Sequence, residues 1–222
     1  MITKETRDGA HVITMDDGKV NALNKPFLDA LITALNEAAE DQAPVVIRGK
    51  KGIFSAGFDF MGFSAGAESA TAQLQGGKDT ILTILRHPAP VVTVCEGHAY
   101  PGGAFLMLAA DHAIGLNGDF VVGMNESAIG MVLPLYATTL GMARLAPAGR
   151  KAIATGELFD PQRGMEVGYF DRVVGADALE ATLDKVLAHM KSLNAGAFAG
   201  NKRIINAALI EAIEAAPLPE FG

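Results

Sequence analysis

Apolar and polar positions change their period several times along the chain, and each change marks an element. His11-Val12-Ile13-Thr14-Met15 follows an Asp8-Gly9 turn and is closed by Asp17-Gly18, the pattern of a hairpin strand. Pro26 opens a helix in which Phe27, Leu28, Leu31, Ile32 and Leu35 share one face, with its end expected between Asp41 and Pro44. The strand Val45-Val46-Ile47 comes next.

A repetition then sets the architecture. Ala43-Pro44-Val45-Val46 recurs as Ala89-Pro90-Val91-Val92, and each copy precedes a glycine-rich turn leading toward a helix. A looser third copy runs from Ala113-Ile114-Gly115-Leu116 through Phe120-Val121-Val122-Gly123 to Asn125-Glu126, then through Gly130 and Pro134 into a helix. Successive parallel strands joined by helical crossovers predict a layered α/β core. Beyond about residue 145 the pattern is helical, apart from a short strand near Phe170 to Val174, and helices are expected over 178–193 and 197–215. The segment from Met61 to Lys78, rich in Ala, Gly, Ser and Gln, reads as a mobile lid or loop. Residues 1–175 are expected to hold the core and the site, with 176–222 as a helical segment of the same domain.

Composition narrows the classes. At 222 residues and 50% hydrophobic, the chain suffices for one well-buried domain. A net charge of -7 argues against nucleic acid, which requires clustered Lys and Arg. The N-terminus alternates polar and charged residues where a signal peptide carries an apolar stretch, and the apolar run from Phe105 to Ala110 is too short to cross a bilayer. No membrane partner is expected. The lone Cys95, inside a β-branched run, reads as a core thiol of a cytoplasmic protein. No histidine cluster has metal-ligand spacing, so no metal is expected.

The candidate chemistry lies in three places. Phe54-Ser55-Ala56-Gly57-Phe58-Asp59 and Gly97-His98-Ala99-Tyr100-Pro101-Gly102-Gly103 each follow an apolar strand and can aim a backbone N–H at one anionic oxygen. Phe58 and Gly102 are the amides assigned, and a helix from Gly103 through Asp111 would add its dipole. Glycine at 57, 102 and 103 lets a substrate approach the backbone; Pro101 suits a first helical turn. The third place is Glu126, flanked by apolar residues, whose burial would raise its pKa into a range where it can take and return a proton.

Those two turns, with Asn21-Ala22-Leu23-Asn24 and with Asn125-Glu126 followed by Gly130, resemble the crotonase superfamily of enoyl-CoA hydratases and isomerases over residues 10 to 205. The resemblance implies a spiral of repeated ββα units with C-terminal helices, assembled as a homotrimer or hexamer. It implies that the amides of Phe58 and Gly102 hold the thioester oxygen of an acyl-CoA and that Glu126 is catalytic. Coenzyme A then enters as part of the substrate, with no permanently bound cofactor. Ala22, Leu23, Ala56, Gly57, Asp59, Phe60, Tyr100, Gly103, Phe105, Asn125, Ile129 and Gly130 are the implied substrate and CoA contacts.

Two departures from the family pattern matter. Its hydratases carry a second glutamate three residues after the oxyanion-hole glycine, where this chain has Phe105. The surviving carboxylate matches the Δ3,Δ2-enoyl-CoA isomerases, for which one base suffices, and Phe105 would exclude water and shape the acyl pocket. The chain also stops at Pro217-Leu218-Pro219-Glu220-Phe221-Gly222, earlier than in most relatives, where the family's longer segment helps close the site and the trimer. Three alternatives remain: a hydratase using Glu126 alone, a non-catalytic acyl-CoA-binding protein, and a serine hydrolase on Gly62-Phe63-Ser64-Ala65-Gly66, whose surroundings lack the strand and helix of a nucleophile elbow.

Overall fold

The computed structural model describes residues 1–220. Phe221 and Gly222 of the C-terminal stretch lie outside the described residues. The chain begins with β1 (Ile2–Arg7) and β2 (Ala10–Met15), an antiparallel hairpin whose Asp8 and Gly9 have φ of 47° and 77°, the left-handed pair that suits an Asp-Gly hairpin turn. After β3 (Ala22–Leu23), the Asn24 side chain accepts the Phe27 amide and caps α1 (Lys25–Ala38). The helix stops earlier than the expected Asp41, because Gln42 takes a left-handed φ of 59° and the Asp41 carboxylate accepts the Ala43 amide at 3.1 Å.

The repeated units follow. β4 (Val45–Arg48), β5 (Gly52–Ser55) and β6 (Gly57–Phe58) lead to α2 (Phe60–Ser64) and α3 (Ala67–Arg86). β7 (Val91–Cys95) and β8 (Gly97–Ala99) lead to α4 (Pro101–Ala109). β9 (His112–Leu116), β10 (Val122–Gly123) and a 3₁₀ turn at Glu126–Ile129 lead to α5 (Leu135–Arg144). In each unit the first strand joins one sheet and the second another: a six-stranded sheet in the order β1-β2-β4-β7-β9-β12 and a four-stranded one in the order β11-β10-β8-β5. The two sequence copies lie side by side, Val45 opposite Val91 and Val46 opposite Val92, so the sequence repeat is also a repeat in space. The predicted ββα spiral is the fold observed.

The remaining elements close the layers. They are α6 (Pro147–Thr155), β11 (Leu158–Phe159), α7 (Pro161–Val167), β12 (Arg172–Val174), α8 (Leu179–Ser192) and α9 (Ala195–Ala215). The inner strands β4, β7 and β9 of the large sheet are covered on both faces, which is why they read as apolar runs, whereas the edge strand β1 is largely exposed. Val12, Val46, Val92, Val94 and Ile114 pack against Leu179, Leu183, Val186 and Leu187 of α8, while Val45, Ile47 and Val91 face the main core. Among the described residues no helix is long and apolar enough to cross a membrane.

The expectation of a loop from Met61 to Lys78 is corrected. That stretch is α2 and the first half of α3, separated at Ala65 and at Gly66, whose φ is 122°. Its small residues form a close-packing face. A Cβ on Gly77 would lie 2.5 Å from the ring of Phe58, and one on Gly76 would lie 3.1 Å from Leu28. Ala70, Gln73, Leu74, Gly77, Ile81 and Leu85 are buried at helical spacing. Few large apolar residues were needed there because the neighbouring side chains are themselves large.

Candidate active site

The first glycine turn is held by a buried polar relay. Ser55, fully buried, donates its hydroxyl to the Asn21 carbonyl at 2.7 Å and accepts the Gly57 amide at 3.1 Å. Asn21, buried with a φ of 53°, donates its side-chain amide to the carbonyls of Met15 and Phe54. Its loop is tied by Asp17, which accepts the amides of Lys19, Asn21 and Ala22. Burial pushes the Asp17 carboxyl up, but those hydrogen bonds outweigh it and hold the group below the ordinary carboxylate range. Gly57, at φ 87°, then turns the chain into β6 beside β3, with Ala22 opposite Gly57 and Leu23 opposite Phe58.

The second turn meets the first through the backbone. The Tyr100 amide donates to the Ser55 carbonyl at 3.0 Å, and Pro101 starts α4, two residues before the expected Gly103. Gly102 therefore falls in the first helical turn, where an amide has no intrahelical acceptor and the helix dipole is positive. A Cβ on Gly57 would lie 3.4 Å from the Gly102 nitrogen, and one on Gly102 would lie 3.1 Å from the Gly57 Cα and 2.7 Å from Leu23. Gly103 is as tightly placed, 2.9 Å from the Ser55 Cβ by the same measure. These glycines let the two backbone segments pack closely against each other.

Beside them opens a cavity of ≈ 240 Å³ whose wall includes Ala56, Gly57, Phe58, Phe60, Pro101, Glu126 and Ile129. Glu126 is the one ionisable side chain on that wall among the described residues. It starts the 3₁₀ turn that Gly130 ends at φ 74°, and its carbonyl accepts the Met131 amide. Only 6% of the residue is exposed, and its Oε2 is buried without a hydrogen-bond partner. Burial pushes the carboxyl up to about 7. Such a group exchanges protons near neutrality.

Ala22, Leu23, Asp59, Tyr100, Gly102, Gly103, Phe105, Asn125 and Gly130 are not among the residues that line this cavity. Phe105 is buried, with its ring 6.4 Å from that of Phe58. Ala22 and Leu23 back the glycine turns. Asp59 caps α2 by accepting the Met61 amide. The Tyr100 ring stacks on His98 at 5.8 Å, and His98 accepts the Val121 amide and packs against Phe120. Asn125 precedes the 3₁₀ turn without a side-chain cap bond. Cys95 is buried, its thiol pushed up to about 12 by burial. Ser64 lies within α2, its hydroxyl donated to the Phe60 carbonyl, with no strand leading into it, so it forms no nucleophile elbow.

Sequence reasoning missed several parts of the wall: Phe63, Leu74, Met131, Val132, Pro134 and Pro219. It also missed Gln73, buried in α3, which accepts the Asp59 amide and donates to the Asp59 carbonyl. The helical spacing of Gln73 from Ala70 and Gly77 is the signal that marks it. Pro219 reaches the cavity because Lys78 donates to the carbonyls of Glu214 and Ala216, fastening the end of α9 against α3.

A ββα spiral with two apposed glycine turns and a buried carboxylate defines a crotonase-superfamily enzyme. The chain belongs to the enoyl-CoA hydratase/isomerase family, whose model it matches over residues 5–216. It is 27% identical to the mitochondrial enoyl-CoA delta isomerase 1 of Rattus norvegicus over 85% of this chain and 67% of that protein, about two thirds of the relative's length. It is 30% identical to the probable enoyl-CoA hydratase echA17 of Mycobacterium avium, over 80% of this chain and 70% of that one. Among solved structures, an enoyl-CoA hydratase/isomerase family protein from Pseudomonas syringae superposes with a TM-score of 0.95 at 33% identity, covering 97% of this chain and 94% of that one.

Proposed function

We propose that the protein is a Δ3,Δ2-enoyl-CoA isomerase that uses one carboxylate as a proton shuttle. The amides of Phe58 and Gly102 hold the thioester oxygen. Glu126 takes a proton from C2 of a 3-enoyl-CoA, and the electron pair moves into a dienolate whose negative oxygen those amides stabilise. The protonated Glu126 then delivers the proton to C4, so that the C3=C4 double bond becomes C2=C3 and the base is regenerated. Nothing is gained or lost by the substrate. Preorganised donors in a water-poor site contribute about 3–4 kcal/mol each to such an oxyanion.

The observation that carries this reading is the single ionisable group on the cavity wall, with Phe105 buried where a second acid would stand. Hydration requires a base for water and an acid for carbon, whereas an allylic shift requires one group in both roles in turn. A carboxyl poised near 7 suits both halves of that cycle. Coenzyme A arrives with the substrate, past Ala22, Leu23 and the turn from Ala56 to Phe60. The reading includes assembly as a homotrimer or hexamer, supported by apolar residues left exposed near the cavity, such as Met61 and Val132, and checked by analytical ultracentrifugation.

The test supplies 3-enoyl-CoA and 2-enoyl-CoA separately and follows conjugated-thioester absorbance and deuterium uptake from solvent. Isomerisation that disappears in Glu126→Gln supports the proposal. Hydration of the 2-enoyl substrate without isomerisation identifies a one-carboxylate hydratase. Acyl-CoA binding indifferent to Glu126→Gln, with no turnover, identifies a binding protein. Either of the last two outcomes overturns the proposal.

A further inference from the structure

The amide of Phe58 lies between two others that buried side chains hold. On one side the Gly57 amide donates to Ser55 Oγ at 3.1 Å, and on the other the Asp59 amide donates to Gln73 Oε1 at 3.2 Å. Gln73 Nε2 donates in turn to the Asp59 carbonyl at 3.3 Å. The registered pairing of β3 with β6 ends at Phe58, and at the next residue a side-chain amide from α3 makes the two bonds that a neighbouring strand would make.

Gln73 is not among the residues that line the catalytic cavity. It is 2% exposed, and a buried amide is costly unless its oxygen and nitrogen are bonded, as both are here. Gly62 of α2 admits it: a Cβ there would lie 2.0 Å from Gln73 Nε2 and 2.7 Å from its Cδ. The first glycine of the run that resembles a nucleophile elbow thus makes room for a neighbouring helix. One helical turn beyond Gln73, on the same face of α3, Gly77 receives the Phe58 ring, since a Cβ there would lie 2.5 Å from its Cζ. Phe58 is therefore held from α3 both by its ring and by the peptide that follows it.

In an extended segment successive N–H groups point to opposite sides. Phe58 ends β6, and Asp59 is extended, at φ -70° and ψ 112°. With the Asp59 N–H turned to Gln73, the Phe58 N–H is directed the other way. An oxyanion donor acts by its aim, and a misplacement of about 1 Å can cost about 10²-fold in rate. We propose that Gln73 is a positioning residue: by pairing with Asp59 it fixes the direction in which the Phe58 amide meets the thioester oxygen. The inference rests on the oxyanion role proposed for Phe58 and Gly102, and not on which enoyl-CoA reaction follows.

The test gives the full chain hexanoyl-CoA, a saturated probe that cannot isomerise, isotope-labelled at its thioester carbonyl, and reads the carbonyl stretch by difference infrared spectroscopy. Donors aimed at that oxygen lower the stretch on binding to wild type. Gln73→Leu keeps the bulk and removes both bonds to Asp59. The downshift is expected to shrink, and kcat of the enoyl-CoA reaction to fall by about 10- to 10²-fold, with far less change in hexanoyl-CoA affinity. Because that variant leaves the Asp59 amide and carbonyl without these partners and can destabilise the fold, Gly62→Ala tests the same contact with Gln73 in place. Its added methyl crowds Nε2 and is expected to shrink the downshift as well. A downshift undiminished in Gln73→Leu, or in Gly62→Ala where Gln73→Leu does not fold, overturns the proposal, and Gln73 then serves only the packing of α3. No downshift in wild type overturns the oxyanion role of Phe58 and Gly102, and this inference with it.

Discussion

Around the first glycine turn the buried polar side chains are paired: Ser55 with Asn21 and Gly57, and Asn21 with Met15 and Phe54. Across the same cavity Glu126 has a buried oxygen with no partner, on a single 3₁₀ turn, and a carboxyl pushed up to about 7. The contrast fits what each part does in the proposed isomerisation. Amide donors act by staying in place, so their surroundings are satisfied and rigid. A group that carries a proton between two carbons must be stable enough in both charge states, which full solvation or a strong ion pair would prevent. Stability is spent at the carboxylate and recovered at the turns.

The largest effect expected is on catalysis. Glu126→Gln keeps the shape of the wall and removes the base, and should lower kcat for isomerisation by about 10²–10⁴-fold with acyl-CoA affinity little changed. Steady-state kinetics beside calorimetric binding checks both halves. Next is the apposition of the turns. Gly102→Val drives a side chain toward Leu23 and the Gly57 backbone, and should cost about 10²–10³-fold in kcat and about 1–3 kcal/mol of stability in urea unfolding. A fully active variant would refute the role given to the close approach.

The carboxylate should also leave a signature in pH dependence. Because its folded pKa lies above the ordinary carboxyl value of 4.5, it favours the folded state most at low pH, and that contribution is lost as pH rises toward and through about 7. Wild type and Glu126→Gln should therefore differ least near pH 4. At pH 8 the variant should be the more stable, by up to roughly 3 kcal/mol. Isomerase activity should rise over the same window, since the base must be ionised. Ser55→Ala, which leaves the Gly57 amide without its acceptor, should cost about 1–3 kcal/mol and lower kcat more than it changes KM. The smallest effect belongs to Ser64, exposed and bonded only to its own helix: Ser64→Ala should leave kinetics and melting unchanged.

Much of the fold was legible because it is local or repeated. Val45-Val46 and Val91-Val92 announce one unit used twice, and the two copies pair directly in the sheet. The Asp8-Gly9 hairpin and the helix opening at Pro26 rest on turn and cap chemistry that a few neighbouring residues complete. Met61 to Lys78 was misread because a helix face built of Ala, Gly and Gln carries little hydrophobic signal. Its packing makes sense only against Phe58 and Leu28, which come from elsewhere in the chain. The catalytic wall divides in the same way: Ala56 to Phe58 and Glu126 were visible as motifs, whereas Leu74, Pro134 and Pro219 have no local mark.

The sequence by itself determined the repeated strand–turn–helix unit, the two glycine turns and the presence of Glu126 among apolar neighbours, because strand periodicity and turn conformation are settled within a few residues of chain. Only the tertiary structure decided that Gly57 and Gly102 pack closely against each other. It also decided that Glu126 is buried and its carboxyl pushed up to about 7. Those properties depend on desolvation and on distances between segments far apart in sequence, and such distances exist only once the chain has folded.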